Sequence, residues 1–160
     1  MKKKFNFFYD KKISIFLIFL ITFSIPFFSN YILAFYKEPW YSTINLPSFN
    51  PPSWVFAPVW TTLYVLMSIA AWRIWIKFYD KKILNIYFIH LFFNLNWSII
   101  FFGFHLIGLA LLDLVIILIF IVVLMKLYLT KDKISFYLMT PYFLWSSYAL
   151  VLNFSIFIKN

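Results

Sequence analysis

The sequence of 160 residues is 64% hydrophobic and 26% aromatic, with 12% charged residues and a net charge of +9. A chain this apolar cannot be covered by a water-facing surface, which excludes an ordinary soluble domain, and the absence of cysteine excludes disulfides, thiolate metal sites and cysteine nucleophiles. Five acids and two histidines leave little for hydrolytic acid–base chemistry, and no metal site is expected.

Apolar runs predict spans at about 13–36, 53–78, 83–104, 106–129 and 134–158. The fold class is therefore all-α: one polytopic domain over 1–160, a five-transmembrane-helix bundle with the bilayer as its first partner. Twelve of the fourteen basic residues lie in the N-terminal tail, around 73–82 and around 126–133; only Lys37 and Lys159 belong to the other side. The positive-inside rule predicts a cytoplasmic N-terminus, with the 37–52 loop and the C-terminus outside. Basicity thus marks orientation and no nucleic-acid partner. The lysine-rich start also resembles a secretory signal, but its apolar run continues to Tyr36 without a small-residue cleavage site, which favours a retained first helix. Pro26 within it predicts a kink.

The 37–52 loop and its exit are rich in proline and tryptophan. Asn50 followed by Pro51 and Pro52 has the form of a helix start, with Asn50 as the capping side chain. The second span then begins either near Pro51 with a bend at Pro58, or at Pro58 itself. Ala57, Thr61, Tyr64, Ser68 and Ala71 share one helical face, small except at Tyr64, as packed membrane helices require.

On the third span His90, Asn94, Trp97 and Phe101 recur at helical spacing. An interhelical hydrogen bond is the simpler role for His90, and Asn94 suits either a bond or a ligand. Gly103 and Gly108 flank a short connection at His105, where glycine suits a tight turn. Asp113, the one acid inside a span, calls for an interhelical hydrogen bond or a protonated structural carboxyl, roughly 10 Å from the outer end at 1.5 Å per residue. The fifth span carries Pro141, Trp145, Ala149 and Asn153. Depth counting gathers Trp54, Trp60, Asn94, Trp97, Asp113, Trp145, Ala149 and Asn153 in the outer half under the loop. That arrangement predicts an aromatic cavity for a large flat apolar ligand, with the loop as lid.

Five pieces together resemble the TspO/MBR family, the tryptophan-rich sensory proteins of bacteria and the mitochondrial translocator protein. They are Trp40–Tyr41, Leu46–Tyr64, Asn94–Trp97 with Phe101–Gly103, Ala110–Asp113 and Pro141–Asn153. The resemblance implies a five-helix bundle, frequent homodimerisation, and a cavity lined by Trp54, Phe56, Ala57, Trp60, Asn94, Trp97, Ala110, Trp145 and Ala149. It implies a receptor or sensor in a bacterial inner membrane that binds tetrapyrroles such as protoporphyrin IX and haem, along with other flat apolar ligands, and requires no cofactor. Trp60 and Trp145 match the tryptophans associated in bacterial relatives with light- and oxygen-dependent porphyrin breakdown, so they are the catalytic candidates of an enzymatic alternative. Porphyrin transport is a further alternative, but no paired broken helices suggest alternating access. The chain departs from the family at His90, where glutamine is usual, at Ser68, where glycine is usual, and at Leu109, where animal proteins have tryptophan. Its C-terminal stretch lacks the tyrosine of a sterol-recognition pattern.

Overall fold

The computed structural model describes residues 10–160, so the basic tail at Lys2–Lys4 lies outside the described residues. Five long helices follow the five apolar runs: α1 (Lys11–Tyr36), α3 (Ser53–Phe78), α4 (Lys81–Ser98), α5 (Ile107–Lys131) and α6 (Lys133–Lys159); α2 (Trp40–Thr43) is one turn in the first loop. All five are long and apolar enough to cross a membrane, with α4 counted through Gly103.

Three of the five acids start helices at the end opposite the loop. Asp10 accepts from the backbone N–H groups of Lys12 and Ile13 at 2.8 and 3.1 Å, Asp80 from Ile83 at 3.1 Å, and Asp132 from Ser135 at 3.3 Å. Each carboxylate satisfies donors that a helix start leaves unpaired. The same end is basic, and Asp132 is held there by Arg73 at 2.9 Å and Lys77 at 2.8 Å, while Lys131 pairs with Asp80 at 3.2 Å. Hydrogen bonds from Arg73, then Lys77 and Ser135, hold the Asp132 carboxyl well below the usual carboxylate range, against the opposing effect of its burial.

Around the bundle the neighbours run α1–α3–α6–α5–α4 and back to α1. Consecutive helices α3 and α4 touch only marginally, because α1 lies between them. The tyrosines Tyr87, Tyr128 and Tyr142 are fully buried at the centre, with Met67, Met139 and Leu124. Two of the three hydroxyls have side-chain partners, those of Tyr87 and Tyr142, while the Tyr128 hydroxyl has no hydrogen-bond partner among the described residues. Tyr87 takes Thr22 of α1 at 2.8 Å.

Several local expectations change. Asn50 does not cap α3: its side-chain amide donates to the Pro51 carbonyl at 3.1 Å, and the helix starts at Ser53 after the extended Pro52. Pro58 therefore lies inside α3, as the earlier of the two predicted starts requires. The small-residue stripe on α3 is buried at Tyr64, Ser68 and Ala71 but exposed at Ala57 and Thr61. The connection after α4 turns at His105, which has φ of 60°, and neither glycine has positive φ. Gly108 instead gives room to Phe157: a Cβ there would lie 2.9 Å from its ring. Before that connection the chain widens into a π-helical turn over Ile99–Gly103, with the Phe104 N–H reaching back to the Ile99 carbonyl at 2.9 Å.

Candidate functional site

The first loop is fastened at several points. Trp40 stacks on His105 at 4.3 Å between ring centres and meets Phe101 edge-on at 5.4 Å. His105 Nε2 donates to the Tyr36 carbonyl at 3.0 Å. Asn45 and Asn160 exchange hydrogen bonds, the Asn45 N–H to Asn160 Oδ1 at 2.8 Å and Asn160 Nδ2 to the Asn45 carbonyl at 3.2 Å. Tyr148 of α6 donates its hydroxyl to the Phe49 carbonyl at 2.7 Å. The loop is thereby tied to α1, to the α4–α5 connection and to α6. A stiff, proline-rich segment needs only these few fixed points to hold one path.

Below it runs a buried polar chain. The Tyr64 hydroxyl donates to Asn94 Oδ1 at 2.6 Å, Asn94 Nδ2 donates to the Tyr142 hydroxyl at 2.9 Å, and Tyr142 lies 2.7 Å from His90 Nε2. The directions are linked. Tyr64 has one proton to give, which turns the amide oxygen of Asn94 toward it and the NH2 toward Tyr142; the Tyr142 hydroxyl, accepting from Asn94, keeps its own proton to offer His90 Nε2. His90 Nε2 accepts that proton in the tautomer that carries its hydrogen on Nδ1, an atom with no hydrogen-bond partner among the described residues. The expected interhelical bond of His90 is present, and it joins α4 to α6.

Aromatic rings surround this chain. Trp60 stacks on Tyr64 at 5.5 Å and meets Tyr142 at 6.1 Å. Phe56 meets Trp145 edge-on at 6.0 Å, and Trp145 lies 5.6 Å from Tyr148. Trp97 stacks on Phe101 at 5.1 Å and donates from its indole N–H to Asn153 Oδ1 at 3.1 Å; Asn153 in turn donates to the Ile107 carbonyl at 3.2 Å. Ala110 is fully buried beside Phe101, Leu152 and Ile156.

The nine sequence-predicted residues thus fall into three sets. Phe56, Trp60 and Trp145 gather where α3 meets α6, and Asn94, Trp97 and Ala110 belong to the α4–α5 side. Trp54 is 74% exposed and Ala57 is also open, while Ala149 is half-buried. Open volume lies along the α3–α6 seam, in a groove of about 550 Å³ lined by Pro58, Val59, Thr62, Leu63, Pro141, Leu144 and Trp145. Trp145 is the one predicted residue on its wall. Thr62 bonds its hydroxyl back to the Pro58 carbonyl at 2.9 Å, leaving the groove nearly without free polar groups. Asp113 is buried with Oδ2 lacking any hydrogen-bond partner among the described residues, so the expected interhelical bond to that oxygen is not made. Tyr142 is the residue that sequence reasoning missed. Its signal was available: it stands beside Pro141 on the same span as Trp145 and would need a buried acceptor.

These features define a class: an integral membrane protein, all-α, whose five-helix bundle carries an aromatic end under a fastened loop. Residues 15–158 match the TspO/MBR family, and the chain belongs to it. It is 38% identical over 125 residues to the tryptophan-rich protein TspO of Chlorobaculum tepidum, covering 76% of this chain and 79% of the relative. It is 33% identical over 148 residues to the TspO protein of Archaeoglobus fulgidus, covering 88% and 93% respectively. The human translocator protein is 31% identical over 126 residues, 76% of this chain and 75% of the relative. The protein therefore stands among membrane sensory and translocator proteins.

Proposed function

We propose that the protein is a tetrapyrrole receptor, binding protoporphyrin IX or haem among the aromatic residues beneath the 37–52 loop. The observation that carries this reading is the convergence of Phe56, Trp60 and Trp145 on the α3–α6 seam, directly beside the 550 Å³ groove. That volume is in the range of small-molecule sites, and indole faces suit a flat conjugated ring. A ligand dissolved in the bilayer reaches Trp145 through the groove without passing the loop. The basic end, with Arg73, Lys77 and Lys133, is read as cytoplasmic in a bacterial inner membrane, which sets the loop outside. Titration of the purified protein with protoporphyrin IX tests the reading through tryptophan fluorescence. Saturable quenching is expected, with affinity roughly tenfold weaker in Trp145→Leu, the equivalent of losing one aromatic contact of about 1.4 kcal/mol. Folded protein that shows no quenching would overturn it.

A second reading is photo-oxidative porphyrin breakdown with Trp60 and Trp145 as electron donors. It is favoured by the contact of each indole with a tyrosine, Trp60 with Tyr142 at 6.1 Å and Trp145 with Tyr148 at 5.6 Å, through which an oxidised indole can be reduced again. Illuminated aerobic samples should then convert porphyrin to a defined product, and replacement of both tryptophans by Phe should abolish the conversion.

A further inference from the structure

We propose that Tyr142 and His90 form a redox-active pair that takes an oxidising equivalent from Trp60. The geometry is specific. The Trp60 ring lies 6.1 Å from the Tyr142 ring, and the Tyr142 hydroxyl lies 2.7 Å from His90 Nε2. Both Tyr142 and His90 are fully buried.

The chemistry follows from where a proton can go. A phenol resists one-electron oxidation unless its proton leaves with the electron, because the phenol radical cation is a very strong acid. In the tautomer with its proton on Nδ1, His90 presents the Nε2 lone pair to the phenol at proton-transfer distance. When a one-electron oxidant, such as a photoexcited tetrapyrrole or another excited dye, removes an electron from Trp60, the indole becomes a radical cation. Tyr142 then gives one electron to Trp60 and its hydroxyl proton to His90. The products are neutral Trp60, a neutral tyrosyl radical and an imidazolium. One positive charge moves from indole to imidazole and none is created, so burial does not forbid the step. Asn94, donating to the phenol oxygen at 2.9 Å, stays bonded throughout and keeps the hydroxyl aimed at His90.

Tyr64 supplies an internal contrast. It is closer to Trp60, at 5.5 Å, but its hydroxyl faces the amide oxygen of Asn94 at 2.6 Å. An amide oxygen is too weak a base to take the proton. Tyr142 is therefore the tyrosine through which Trp60 is reduced. The pair does not depend on tetrapyrrole binding, since any oxidation of Trp60 engages it.

The test uses the whole protein in lipid nanodiscs, without porphyrin, under ultraviolet light absorbed by indole and with a cobalt(III) ammine as irreversible electron acceptor. Electron paramagnetic resonance of frozen samples reads tryptophanyl and tyrosyl radicals. Part of the tyrosyl signal should vanish in Tyr142→Phe and in His90→Gln while persisting in Tyr64→Phe, and the tryptophanyl signal should rise in the first two. In the unsubstituted protein, decay of the transient tryptophanyl radical should slow at least twofold in heavy water. A Tyr142→Phe signal equal to that of the unsubstituted protein, or a full tyrosyl signal in folded His90→Gln, would overturn the proposal. So would isotope-independent decay, which needs no variant to fold.

Discussion

Replacing Asp132 by alanine should lower stability by about 2 kcal/mol, and the structure sets out the parts of that figure. Breaking a fully buried ion pair costs roughly 3–5 kcal/mol. Here Asp132 is 8% exposed, but its partners Arg73 and Lys77 are 24% and 42% exposed, so water takes the cations back and the ionic share falls to about 1 kcal/mol. Loss of the helix cap to Ser135 adds about 1 kcal/mol. At roughly 2–4 °C per kcal/mol for a chain of this size, the thermal midpoint in detergent should drop by about 4–8 °C. Asp132→Asn keeps an oxygen for the cap and should lose about half as much. The pH dependence has a definite sign. The folded carboxyl titrates below the unfolded value of about 3.9, so its contribution is fully present above that pH and is lost as pH falls toward the depressed folded value. The unsubstituted protein should therefore lose more stability between pH 7 and about pH 3 than Asp132→Asn does. An alanine variant that melts within about 1 °C of the parent, or parallel pH curves for parent and asparagine variant, would refute the reasoning.

Asn94→Leu should cost about 3 kcal/mol in the same melting assay, because it takes a hydrogen-bond partner from two buried tyrosine hydroxyls at once. Tyr148→Phe removes the bond to the Phe49 carbonyl without altering packing; faster hydrogen exchange around residues 45–50 with an unchanged midpoint, to within about 1 kcal/mol, is expected. Gly108→Ala should cost only about 1 kcal/mol in thermal unfolding, since the Phe157 ring it would crowd is half exposed and can move outward.

The five spans were legible because hydropathy and helix length are set by the bilayer: the second span was bounded at 53 and 78, where α3 begins and ends. The His90–Asn94–Trp97–Phe101 face was legible from spacing, and three of its four residues are buried. What spacing cannot give is the partner on another helix. Asn94 read alone was equally a ligand group or a bond; it became a link in a chain only when Tyr64 and Tyr142 arrived from α3 and α6. The turn Trp40–Thr43 is too short, and too close to Pro39, for periodicity to register. The π-helical turn at Ile99–Gly103 has no composition of its own. The capping role of Asn50 failed because the two prolines after it hold the backbone extended past the point where its side chain could reach a helical N–H. For the groove, two prolines on different helices had to be brought side by side, which no linear reading of Pro58 and Pro141 can do.

The order of helices around the ring bears on how the molecule is made. Inserted in chain order, α1 and α3 reach the bilayer before α6, the last of these five helices, which must return to α3 to complete the circle. The α3–α6 and α5–α6 joints are thus the two that wait for α6, and the groove lies along the first of them. Until α6 is in place, Trp60 and His90 both lack Tyr142, so assembly of the ring and completion of its aromatic end are one event. A nascent chain halted before α6 would possess four membrane helices and neither wall of the groove joined to the other.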